Sequence, residues 1–124
     1  MMNELDSYAS LRNIVRGIFR SALNARGLLP YQSFAYTYDE VEGGFSDGGF
    51  RQLCLLVALF VCATEAGLVL DYDDPFTHDV LSELREAVHE FEARKSENEP
   101  SVDDDLISDV KRVRDAYLTK FDPV

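Results

Sequence analysis

His78 and His89 stand eleven residues apart, about three helical turns, and Glu86 precedes His89 by three positions. Glu86-x-x-His89 is half of the carboxylate motif that holds two metal ions in a helical bundle. The full site also needs a second such pair and two further glutamates from other helices. The last helical segment of this chain contains neither His nor Glu. Asp71, Asp73 and Asp74 have the chemistry of a calcium loop, yet a loop opening at Asp71 requires glycine at its sixth position and glutamate at its twelfth. Phe76 and Ser82 occupy those positions. Gly43-Gly44 and Gly48-Gly49 lack the lysine of a phosphate loop, and Asp39, Glu40, Glu42 and Asp47 would repel an anion there. Cys54 and Cys62, eight residues apart on one helix, are separated by about 12 Å, beyond disulfide reach. They read as reduced, buried thiols, without the electropositive setting that activates a nucleophile. No G-x-S-x-G elbow is present. The inventory points to no catalytic, metal or cofactor site, and the chain reads as a non-enzyme.

Carboxylates beside aromatic rings are the stronger signal. Tyr31, Phe34, Tyr36, Tyr38, Phe45 and Phe50 fall within residues 31–50, interleaved with four acids and with no Lys or Arg. Buried aromatics supply affinity at an interface, and surrounding charge steers a partner of opposite sign. A second acidic row, Asp79, Glu83, Glu86 and Glu90, repeats at helical spacing. The candidate partner-binding set is therefore Tyr31, Tyr36, Tyr38, Asp39, Glu40, Glu42, Asp47, Asp79, Glu83, Glu86 and Glu90. The structural alternative is that the phenylalanines close the bundle as core, with the tyrosines at the water boundary. Residues 71–124 hold 16 carboxylates against seven basic groups, whereas the first thirty residues carry a net +2. Arg12, Arg16 and Arg20 form an i, i+4, i+8 row placed to pair with acidic neighbours.

The whole chain has 124 residues, 23 Asp plus Glu, 12 Lys plus Arg and a formal charge of −11. At 46% hydrophobic it can build a single domain, residues 1–124, burying roughly two-thirds of its unfolded surface. The acidic balance argues against direct nucleic-acid binding, which rests on cationic side chains displacing counterions, and against anionic membrane surfaces. The most apolar run, Leu53 to Ala63, is eleven residues, about half of the roughly 20 that a membrane span needs. The opening MMNELDSYAS has no basic region followed by an apolar run, so the protein reads as cytoplasmic.

The elements that must position these groups are helices. Apolar spacing and cap residues predict a mainly α, single-domain bundle of about four, at about 3–26, 47–66, 75–94 and 102–121. Gly27 is placed to end the first. Ser46 caps the second, with Phe45 and Phe50 as a staple, and Gly67 lies near its end. Asp74-Pro75 opens the third, and Ser101 with Asp104 opens the fourth. Residues 28–50 fit no helix of this scheme. The alternation around Phe34, Tyr36 and Tyr38 admits a short strand or hairpin near 33–39.

A small, acidic, helical chain with an acidic-aromatic surface resembles the immunity proteins that neutralise bacterial toxins, those of contact-dependent inhibition and of colicins among them. The resemblance lies in size, charge and surface type over the whole chain, and it carries over no family position. It implies a stoichiometric inhibitor whose partner is a basic protein, a nuclease-type toxin domain with a nucleic-acid-binding cleft. The alternatives from other classes are an acidic regulatory or adaptor module, including a nucleic-acid mimic on a basic housekeeping protein, and a small helical enzyme or metal-binding protein.

Overall fold

Leu53 through Ala63 are buried without a break, so the helix that carries them has no face for water. A helix apolar all round must be enclosed by others. In the computed structural model, which describes residues 7–45, 49–95 and 104–119, this helix is α3 (Gly49–Glu65), in contact with each of the four other α-helices. These are α1 (Tyr8–Asn24), α2 (Pro30–Val41), α4 (Pro75–Lys95) and α5 (Asp104–Val113). A 3-10 turn, Glu42–Phe45, follows α2, and α5 continues into a π turn over Arg114–Leu118. The fold is mainly helical, as expected.

Each boundary has a local cause. Ser7 caps α1 by accepting the Ser10 N–H at 3.1 Å. Gly27, at φ +66°, lets the chain turn back so that the Leu28 N–H reaches the Ala22 carbonyl at 3.0 Å. Gly67, at φ +68°, does the same after α3, with the Leu68 N–H on the Ala63 carbonyl at 2.9 Å. Asp74 caps α4 as expected, accepting the Thr77 N–H at 3.0 Å, and Pro75 takes the first helical position. The expected caps Ser46 and Ser101 lie outside the described residues.

Residues 28–50 are where the sequence reading needs correction. Residues 33–39, which admitted a strand, lie inside α2, and the bundle has five α-helices among the described residues. Pro30 opens α2, and the Gln32 side-chain carbonyl accepts the Leu29 N–H at 3.0 Å. Ser33, Phe34, Thr37 and Val41 are the buried positions, a helical spacing that overrides the apparent alternation of aromatics. Phe34 then becomes the centre of the core. Its ring meets Phe60 edge-on at 5.3 Å and Phe76 at 6.3 Å, while Phe60 continues to Tyr117 at 5.3 Å. Offset and edge-to-face rings of this kind add roughly 0.5–1.5 kcal/mol per pair beyond their buried area. Neither cysteine is in a disulfide, and both are buried.

Candidate partner-binding surface

Three sides of α2 do different work. At about 100° per residue, Tyr31, Tyr38 and Glu42 share one flank, Tyr36 and Glu40 the other, and Asp39 points directly away from the core. The first flank meets α4. The Tyr38 hydroxyl donates to Glu83 at 2.9 Å from both carboxylate oxygens, and its ring stands edge-on to Phe76 at 5.4 Å. The Tyr31 hydroxyl donates to Asp74 at 2.7 Å and lies 3.3 Å from the Thr77 hydroxyl. Half-buried rings thus fix two carboxylates of α4 and its cap.

The electrostatics follow from this placement. Burial first, then the hydrogen bond to Glu83, then the fields of Glu83, Glu42 and Asp79 raise the Tyr38 phenol far above its ordinary value. Burial and the Asp74 contact raise Tyr31. The Asp74 carboxyl is lowered, chiefly by the Tyr31 hydroxyl and then by the Thr77 N–H. Around Tyr38, then, Glu42 of the 3-10 turn and Asp79 and Glu83 of α4 form one negative field. Asp79, Glu86 and Glu90 are exposed and continue it along α4, and Asp39 is exposed beside it on α2.

The structure therefore divides the sequence-derived set. Tyr31, Tyr38, Asp39, Glu42, Asp79, Glu83, Glu86 and Glu90 fall on one side, across α2 and α4. Tyr36 and Glu40 face α1 instead, where the Arg26 guanidinium lies 4.8 Å from the Tyr36 ring centroid. Asp47 lies outside the described residues. His78 and His89 are exposed on the flank of α4 turned away from α2, and no group of three metal-ligating side chains occurs among the described residues. No helix among them is long and apolar enough to cross a membrane.

Two arginines of the row, Arg12 and Arg16, are engaged inside the molecule. Arg12 pairs with Asp109 at 2.9 Å and approaches Asp105 at 3.8 Å, and Arg16 meets Glu65 at 2.9 Å. Asp109 is only 8% exposed and also accepts the hydroxyl of the fully buried Tyr8. This buried Tyr8–Asp109–Arg12 cluster was not anticipated as a unit. Its signal was Asp109 lying between the core positions Leu106 and Val110, opposite an arginine on the edge of the α1 stripe. Cys62 lines a shallow cleft of about 170 Å³ beside Arg16, Arg20 and Glu65. Burial and then Glu65 push its thiol up to about 11, so it stays protonated and unreactive at neutral pH.

No family model matches this sequence, and no curated protein or solved structure matches it either.

Proposed function

We propose that this protein is a stoichiometric inhibitor that covers the basic surface of a partner protein with the acidic band of α2 and α4. The observation that carries the reading is the Tyr38–Glu83 junction, which places Glu42, Asp79 and Glu83 in one negative field on a rigid helical base. The chain supplies no Lys or Arg between Gly27 and Phe50 to neutralise it. Between Pro75 and Ala93 the one Lys or Arg of α4, Arg85, lies on the flank turned away from α2, with His78 and His89. A surface held this way suits a partner whose own cleft is cationic, because complementary potentials raise association rates and exclude acidic competitors. The partner class is a nuclease-type toxin domain, and the protein acts as its immunity factor.

The test is co-purification from the source organism at low and moderate salt, followed by titration of the recovered protein's activity. One basic partner, bound near 1:1 and inhibited at that ratio, supports the reading. Binding that survives charge reversal at Asp79 and Glu86 removes the acidic band from it.

A further inference from the structure

Gly17 stands in the middle of α1 for no reason internal to the chain. Its φ is not in the left-handed region, and a Cβ built on it meets nothing within 4 Å. Neither backbone geometry nor packing calls for glycine, although glycine in a helix interior costs about 1 kcal/mol relative to alanine. It lies instead in a groove of about 370 Å³ between the outer faces of α1 and α2, together with Ile14, Ile18, Arg26, Tyr36 and Glu40. Ile14 is 46% exposed there. The other large apolar side chains exposed among the described residues, Leu29, Phe50 and Val69, sit at helix starts or in a loop. Ile14 alone of these occupies a helix interior.

We infer that this groove receives a second copy of the chain, α1 lying antiparallel on α1 with Gly17 at the two-fold axis. Charge selects the occupant. Residues 31–124 carry a net −13 and the first thirty a net +2, so two copies meet with least repulsion on α1. The groove also bears one charge of each sign along its length. Arg26, beyond the C-terminal end of α1, stacks on Tyr36, and Glu40 follows one turn further along α2, which runs back towards the start of α1. A two-fold axis reverses that order and sets Arg26 of each copy against Glu40 of the other. Such a patch is complementary to itself, as an isologous interface requires. A guanidinium stacked on a ring keeps its N–H edge for a carboxylate. Gly17 lets the two backbones approach, and Ile14 and Ile18 close over the contact.

Sedimentation equilibrium of the full chain at about 0.15 M salt, where screening confines charge effects to about 8 Å, tests this. A reversible dimer is expected. Arg26→Glu and Glu40→Arg should each weaken it on the order of tenfold, and an equimolar mixture of the two variants should restore it, since both cross-pairs are then of opposite sign. Gly17→Leu, a better helix former, should keep the fold and abolish the dimer. A monomer up to near-millimolar concentration overturns the inference. So does a dimer indifferent to Gly17→Leu, or one that the mixture fails to restore.

Discussion

The hydroxyl of Tyr38 lies 2.9 Å from each carboxylate oxygen of Glu83, and this one donor joins α2 to α4 at the centre of the acidic band. The bond requires a neutral phenol, because a phenolate would face Glu83, Glu42 and Asp79 together. A folded-state pKa raised in this way stabilises the protein fully below the unfolded value of about 10 and is lost as pH rises through the folded value. In an alkaline titration, Tyr38 and the still more buried Tyr8 should ionise only as the chain unfolds. Tyrosinate absorbance and circular dichroism should therefore share one transition for these two rings, and early ionisation of Tyr38 in the folded protein would refute the assignment. Tyr38→Phe should cost about 1 kcal/mol in urea denaturation, the usual net value of such a bond.

Asp109 is the acid whose loss should be felt most. Truncation to alanine leaves the buried Tyr8 hydroxyl without its acceptor and the Arg12 guanidinium with only the longer approach to Asp105, at a cost of roughly 1–3 kcal/mol. Asp109→Asn keeps an acceptor for Tyr8 and should cost less. Equal losses by chemical denaturation would mean that charge alone matters at this position.

How much of this was legible in the sequence depends on which interactions are local. Gly27, Gly67 and Asp74 carry their roles in their own chemistry, and four helices follow from apolar spacing. The fifth was obscured because Phe34, Tyr36 and Tyr38 satisfy a period of two as well as a helix does over five residues. Only the longer series Phe34, Thr37 and Val41, opened by Pro30, separates the two. The acidic-aromatic set was readable as a composition but not as a surface. Which flank of α2 meets α4 is decided by packing on α3, and that places Tyr36 and Glu40 apart from the rest.

Acid should act through Asp74. Its lowered pKa means that its contribution is fully present above the unfolded carboxyl value near 3.9 and is lost as pH falls through the folded value. The stability difference between the parent and Asp74→Ala should therefore be constant from about pH 5 to 7 and shrink on acidification. A difference that persists unchanged at pH 2 would show that the cap does not depend on the carboxylate.

Charge reversal on the exposed row of α4 separates binding from folding. Asp79→Lys and Glu86→Lys replace exposed side chains, so stability should change by no more than about 0.5 kcal/mol. The association rate with a basic partner, followed by stopped-flow fluorescence, should fall and lose much of its salt dependence. Lysine introduced at His78 or His89, on the other flank, should have a smaller effect.

Cys62 offers a chemical probe of the α1–α3 contact. Its thiol, raised to about 11 and 3% exposed, should react with a disulfide reagent at neutral pH far more slowly than in denaturant. Glu65→Ala opens the pair with Arg16 that borders the same cleft, removes a charge that raises the thiol, and should speed labelling.

The enclosure of α3 also sets an order of events during synthesis. The helix is complete at Glu65, whereas the segment of α5 that packs against it ends near Leu118, some fifty residues later. At about 5–20 residues per second, the ribosome takes roughly 3–10 s to cover that interval. For those seconds the nascent chain holds the eleven-residue apolar run of α3 with only part of its sheath, while the acidic C-terminal half is still unmade.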